Sequence, residues 1–264
     1  METLLWLIVF ISLFLIAIRY IETHSIFYPM KEMIYDPSLA GLVYEDVYFN
    51  TGDNIKLNGW FVKNDNAEYT LLLFHGNAGN ISHRIDKLAV LNDLDVNVFI
   101  FDFRGYGKSK GKPSEQGLYK DGQAAYDYLI KEKNIQPEKI ILYGASLGAG
   151  GAIDLAKKVK VKALITESAF TSVKDMARIA YPIMPPFVFS SKFNAISKSK
   201  DITYPKLLIH SIDDEIVPFR LAEKLFNAAS DPKKLLKLHG GHNTMFLDSE
   251  KEYKSGIKEF LEGL

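Results

Sequence analysis

Short apolar runs at 69–74, 96–101, 140–143, 163–165, 207–209 and 235–238 punctuate this chain, separated by stretches of helix length. Such runs are buried on both faces, as the strands of a parallel sheet are. The stretches between them predict helices over 82–91, 114–133, 147–158 and 218–229, with a closing helix over 249–261. Ahead of them, 43–49 and 55–62 alternate apolar and polar side chains around Asn50-Thr51-Gly52-Asp53-Asn54, the pattern of an antiparallel hairpin. The whole predicts a doubly wound, mostly parallel α/β sheet preceded by an N-terminal β-hairpin. One connection is out of scale, because 167–204 lies between two core strands, where about 2 to 6 residues suffice. Its centre, 181–189, is apolar and proline-rich. That suits a lid or an apolar substrate wall above the strand ends; a helix packed on the sheet edge is the plainer alternative.

The first residues form a separate object. Residues 4–18 are Leu, Ile, Val, Phe, Trp and Ala, broken only by Ser12, with Trp6 and Tyr20 near the ends like interfacial anchors. A run of about 15 to 18 residues is at the short edge of a spanning helix. A cleaved signal peptide would begin basic and end in small residues, whereas this one begins Met1-Glu2-Thr3 and continues into Ala17-Ile18-Arg19-Tyr20. A helix of the core would need a polar face and would not precede the whole fold. An uncleaved transmembrane anchor is therefore expected over 1–21, then a linker over 22–42 and the folded domain over 43–264. Arg19 and Lys31 follow the apolar run and no basic side chain precedes it, which puts the domain on the cytoplasmic side by the positive-inside rule.

The 32 basic and 32 acidic side chains cancel, so no electrostatic pull toward nucleic acid exists; at 264 residues and 47% hydrophobic content, one domain with a large core is the economical reading. Cysteine is absent. Disulfides, thiolate chemistry and cysteine-bound metals are thereby excluded.

The chemistry is concentrated at Gly144-Ala145-Ser146-Leu147-Gly148, entered from the run Ile140-Ile141-Leu142-Tyr143 and left through Ala152-Ile153-Asp154-Leu155-Ala156. A Gly-x-Ser-x-Gly turn between strand and helix exposes its serine, with glycines leaving room for a strained bend. Ser146 is the candidate nucleophile. The same glycines, with Gly150, also fit the dinucleotide turn of short-chain dehydrogenases, and Tyr106 to Lys110 supplies a Tyr-x-x-x-Lys. Position argues against that reading. That turn follows the first strand and precedes the Tyr-x-x-x-Lys, whereas here the order is reversed; Thr166 and Glu167 match the ribose-binding acid only loosely.

A serine hydroxyl needs an imidazole to take its proton and a carboxylate to orient that imidazole. Of six histidines, only His239 and His242 lie beyond the last apolar run. His239 directly continues that run, which should fix it; His242 follows two glycines in a loop that can reach the serine. Asp213, Asp214 and Glu215 follow the preceding run, two of them expected to be solvated or to cap the next helix. An oxyanion hole would take the amide of Leu147 and, from the loop His75-Gly76-Asn77-Ala78-Gly79-Asn80, that of Asn77. His75 has no second histidine or acid at ligand spacing, so it reads as a structural ring. Arg104 could bind substrate as a cation but reads as a structural tie from the loop after its strand to neighbouring backbone.

Taken with Phe101-Asp102-Phe103-Arg104-Gly105-Tyr106-Gly107-Lys108-Ser109, Gly111-Lys112-Pro113-Ser114-Glu115, Gly117-Leu118-Tyr119, Glu167-Ser168-Ala169-Phe170, Asp213-Asp214-Glu215-Ile216-Val217-Pro218 and Gly241-His242, the chain from about residue 43 onward resembles the α/β-hydrolase superfamily. Within it, the resemblance is to a membrane-anchored, serine-aminopeptidase-like branch that includes protein depalmitoylases. The resemblance implies Asp214 as the acid, because it directly precedes Glu215 and the apolar-apolar-Pro stretch. Ser211 departs from the glycine usual after the strand histidine, and is expected to tighten its loop without touching a catalytic group. The resemblance and the residues together imply a membrane-anchored serine hydrolase with Ser146, His242 and Asp214 catalytic, and Asn77 and Leu147 forming the oxyanion hole. It would need no metal or cofactor and would act on ester or thioester bonds of lipid-like or acylated-protein substrates. A serine peptidase of the aminopeptidase type and a noncatalytic membrane-tethered interaction module are the alternatives.

Overall fold

The computed structural model describes residues 2–182 and 192–264, the side chains of residues 15, 19 and 21–24 excepted. The chain opens with α1 (Glu2–Ile26) and β1 (Tyr28–Pro29), then the hairpin β2 (Tyr44–Asn50) and β3 (Lys56–Val62). Next come β4 (Tyr69–Phe74), β5 (Ala78–Gly79), α2 (Ile85–Asn92), β6 (Val96–Phe101), α3 (Glu115–Lys131), β7 (Ile140–Ala145), α4 (Leu147–Ala156) and β8 (Ala163–Glu167). The long connection carries α5 (Val173–Ala180) and α6 (Ala195–Ser199). The chain closes with β9 (Lys206–Ser211), α7 (Phe219–Ala228), β10 (Lys233–Leu238), α8 (Met245–Asp248) and α9 (Glu250–Glu262).

Eight strands form one sheet in the order β10-β9-β8-β7-β4-β6-β3-β2; β3 runs antiparallel to both its neighbours, β2 and β6, and the strands from β10 through β6 pair in parallel. The apolar runs of β4 and β6–β9 became strands because both faces are covered, whereas the run over 235–238 falls on the edge strand β10, which is mostly half-buried or exposed. On β4, Leu71 and Leu73 pack with Leu88 and Leu91 of α2 and Ile257 and Phe260 of α9, while Leu72 and Phe74 pack with Leu118 and Leu129 of α3 and Ile153 of α4. Alternate side chains of one strand point to opposite layers, so every second residue serves each core.

The order reverses at β4, whose successor β6 lies on one side and β7 on the other. Loops leaving the carboxyl ends of β4 and β7 diverge there and open a crevice, the usual ligand position in such a sheet. Phe74 and Gly144 stand in register at that edge, which sets the loop of residues 75–80 beside the Ser146 turn.

Helix α1 extends to Ile26, beyond the anchor expected over 1–21. Its large apolar side chains from Leu4 to Ile16 are between 38% and 70% exposed where described. Among the described residues, no helix is long and apolar enough to cross a membrane. Residues 22–42, expected as a linker, are in part bonded to the domain. Tyr28 and Pro29 pair with Ala78 and Gly79, and Ile34 N–H donates to Ser82 Oγ at 3.0 Å.

The insertion over 167–204 is tied down at its base. Val173 N–H donates to Lys192 O and Ile196 N–H to Thr171 O, Glu115 accepts the amides of Lys192 and Phe193, and Phe193 is fully buried against Tyr119 and Phe170. Helix α6 packs on α4 and α7. The apolar wall expected at 181–189 lies, from residue 183 on, outside the described residues.

Candidate active site

Ser146 sits between β7 and α4 with φ +50° and ψ −115°, a left-handed conformation that costs a non-glycine residue about 1–3 kcal/mol. Its neighbours explain how the bend is tolerated. A Cβ at Gly148 would come within 2.2 Å of Phe74 O, and one at Gly144 within 2.5 Å of Ala149 Cα. Glycine is required at both because α4 starts in contact with β4 and folds back on β7. Ser146 N–H donates to Glu167 O at 2.8 Å, so β8 holds the turn from behind.

That carbonyl belongs to a residue with an unusual burial. The Glu167 carboxylate is surrounded by Lys87 Nζ at 2.7 and 2.9 Å, Tyr253 Oη at 2.9 Å and Tyr143 Oη, and Lys87 lies 3.7 Å over the Phe246 ring. Burial alone would raise Glu167, but the Lys87 charge and the hydrogen bonds from Lys87, Tyr143 and Tyr253 outweigh it and hold the carboxyl below its ordinary range. Removing one partner of such a pair strands a buried charge. Lys87→Met is expected to lower stability by about 3–5 kcal/mol, read as a shift of the urea midpoint; a shift under a quarter of that would show Glu167 satisfied by its tyrosines.

His242 follows β10, and its ring is buried. Its Nδ1 lies 2.8 Å from Asp214 Oδ2 and 3.0 Å from Oδ1, and its Nε2 lies 3.0 Å from Ser146 Oγ. Asp214 is buried too, which pushes its carboxyl up, yet the hydrogen bond and charge of His242 and the amides of Val217 and Ile216 prevail and hold it below the ordinary range. An ionised carboxylate only accepts, so Nδ1 carries the proton and Nε2 is left to accept from the serine. An imidazole held this way can take the hydroxyl proton as Ser146 attacks an electrophile.

The structure brings together Ser146, His242 and Asp214, and gives the rest of the acidic run other tasks. Asp214 Oδ1 takes Ile216 N–H at 2.9 Å and Val217 N–H at 2.7 Å, which explains its depth in the loop. Glu215 accepts His242 N–H at 2.9 Å, a role the sequence did not reveal; the only signal was adjacency to Asp214. Asp213 pairs with His239 Nδ1 at 2.8 Å, both side chains more than half exposed. None of the three acids caps α7, whose N-cap is Pro218 with no side-chain bond. Ser211 Oγ donates to Gly240 O at 2.5 Å and accepts from Asp213 N–H at 3.1 Å, joining the acid loop to the histidine loop.

On the other side of Ser146, a Cβ at Gly76 would lie 3.9 Å from the serine Cβ, so the 75–80 loop borders the hydroxyl. Leu147 opens α4, and the N–H of a first helical residue has no intrahelical acceptor. Asn77 has its carbonyl occupied by Tyr106 Oη at 2.8 Å and its side-chain amide by Ile26 O at 3.2 Å, while its backbone N–H donates to no acceptor among the described residues. His75 donates from Nδ1 to Gly76 O at 2.6 Å and stacks on Phe103 at 4.2 Å; burial drives its pKa to about 3, so the ring is neutral. Arg104 bonds Asp121 and Asp53, within the structure rather than at the site. No group of three or more potential metal ligands occurs among the described residues.

A serine turn at the carboxyl edge of a parallel strand, followed in the chain by an acid loop and a histidine loop on later strands, defines an α/β hydrolase. The chain belongs to the serine aminopeptidase family of that fold, which matches residues 65–196, half its length. It is 37% identical to protein bem46 of Schizosaccharomyces pombe over 217 residues, covering 77% of this chain and 72% of that protein. It is 32% identical to YfhR of Escherichia coli K12 over 250 residues, covering 90% and 86%. An esterase of Pyrococcus furiosus has the same fold with a TM-score of 0.74 and 26% identity, covering 89% of this chain and 96% of that one.

Proposed function

We propose that this protein is a membrane-attached serine hydrolase that cleaves carboxylic ester or thioester bonds of lipid-like or acylated-protein substrates through an acyl-enzyme on Ser146. The observation that carries the proposal is the unbroken chain of contacts from Ser146 Oγ through His242 to the ionised Asp214. Ser146 Oγ adds to the acyl carbonyl as His242 takes its proton. The amides of Leu147 and Asn77 receive the oxyanion, and His242 returns the proton to the departing alcohol or thiol. Water then repeats the sequence on the acyl-enzyme, regenerating Ser146. None of these steps requires a cofactor.

Membrane attachment is proposed through α1, whose exposed apolar side chains have no covering layer among the described residues. This contiguous surface is far larger than scattered exposed side chains on a monomer, and it leads directly into the loop beside the site. It supports an acyl group of lipid character, in line with the depalmitoylase-like branch. The esterase of similar fold supports an ester over an amide bond; the family's aminopeptidase label supports the peptidase reading.

Fluorophosphonate labelling of the full-length chain, followed by p-nitrophenyl esters of increasing chain length and an aminoacyl-amide panel, tests the proposal. Labelling at Ser146 and a kcat/KM that climbs about fourfold per added methylene are expected, from about 0.8 kcal/mol per buried CH₂. A flat profile would remove the lipid-like substrate, amide turnover exceeding ester turnover would favour the peptidase, and absence of labelling would favour a noncatalytic module. The protein should also stay in the membrane pellet through carbonate extraction at alkaline pH; recovery in the supernatant would refute attachment by α1.

A further inference from the structure

The segment leaving α1 does more than connect it. Ile26 O, at the end of the helix, accepts the Asn77 side-chain amide at 3.2 Å, and Tyr28 N–H donates to Asn77 O at 3.3 Å. Met30 N–H donates to Gly79 O at 3.0 Å, and Asn80 Nδ2 donates to both Met30 O at 3.0 Å and Glu32 O at 2.6 Å. From the opposite side, Gly107 N–H also donates to Met30 O at 2.8 Å and Lys31 Nζ to Ser109 O at 2.9 Å. Residues 26–32 are thus a strap laid in parallel along the 77–80 loop, locked to the loop on one flank and to the 107–109 turn on the other. Phe27, 5% exposed, pins its start against Phe193.

These bonds bear on one group. The peptide unit that carries the Asn77 N–H also carries Gly76 O, which accepts from the buried His75 ring. A planar trans peptide directs the two in opposite directions, so His75 aims the N–H away from itself. The strap and Tyr106 hold the next peptide, through Asn77 O, and the Asn77 side chain. Between them the amide has little freedom to turn.

We propose that residues 26–32 position the Asn77 amide for the oxyanion, so that the chain emerging from the apolar helix sets the turnover of the site. The inference rests on the reading of Asn77 as an oxyanion donor. Loss of a complete oxyanion donor costs about 10²–10³ in kcat, and a misaimed one costs part of that.

The test uses the full-length chain in detergent, with Met30→Pro, which deletes one strap N–H, and Met30→Ala, which keeps it; the Met30 side chain is exposed. Met30→Pro is expected to lower kcat on p-nitrophenyl butyrate about tenfold with KM unchanged. It should weaken a butyl trifluoromethyl ketone, whose hemiketal oxyanion needs the same amide, by the same factor as kcat/KM. Met30→Ala should match the parent. Asn80→Asp, which loses both donors to the strap but keeps the acceptor for Ser82, should repeat the effect and decides the matter if the proline variant does not fold. Parental kcat in both variants, or a loss that tracks a fall in melting temperature while ketone affinity is unchanged, would overturn the strap while leaving a Ser146-labelled parent enzyme as a hydrolase. A parent that neither labels nor hydrolyses would overturn both.

Discussion

Ser146→Ala is expected to lower kcat for a soluble ester by about 10⁶-fold, since removing the nucleophile of such a relay costs as much as removing all of it. Fluorophosphonate labelling should vanish with it. The fold should be unaffected, because among the described residues the Ser146 hydroxyl bonds only His242, and the positive φ at 146 is as costly for alanine as for serine. Circular dichroism and the melting temperature of the variant would therefore match the parent. A variant that labels at the parental rate would place the nucleophile at another residue.

Asp214→Asn is expected to cost about 10⁴ in kcat, by a route visible in the hydrogen bonds. Oδ1 is committed to the amides of Ile216 and Val217, so an asparagine keeps its carbonyl oxygen there and turns its NH₂ toward His242 Nδ1. Two donors then face each other. The imidazole relieves this by carrying its proton on Nε2, where it can no longer accept from Ser146. Asp213→Asn breaks only the exposed contact with His239, and exposed pairs contribute about 0–1 kcal/mol; its kcat should stay within about twofold of the parent. Steady-state kinetics of the two variants side by side decide the assignment, and a larger loss at Asp213 than at Asp214 would reverse it.

How much of this was legible in the sequence depended on the range of the signal. The apolar runs became β4 and β6–β9 because burial on two faces leaves its mark residue by residue, as on Leu71 to Phe74; the last run became the half-covered edge strand β10. The serine turn was legible because its glycines answer to contacts a few residues away, at Ala149, and to the strand immediately beneath. The order of serine, acid and histidine carried over because each lies in a loop directly after a core strand. Within the acidic run, adjacency concealed the division of labour. Asp213, Asp214 and Glu215 look alike in sequence, and only the path of the loop sends one to His239, one to the His242 ring and one to the His242 amide. His239 likewise takes its partner from the path of the loop, its exposed ring pairing with Asp213.

By itself, then, the sequence determined the sheet, the serine turn and the candidates for its partners, because periodicity and turn chemistry are local. The tertiary structure decided the rest: the Lys87–Glu167 cluster behind the turn, whose members come from four separate elements, and the strap of residues 26–32 on the 77–80 loop. That pairing joins two-residue strands about fifty positions apart. Pairs so short have no repeat to betray them, and most of their bonds are between backbone groups that every residue carries. They form only when α1, the sheet and the 107–109 turn bring the two segments together.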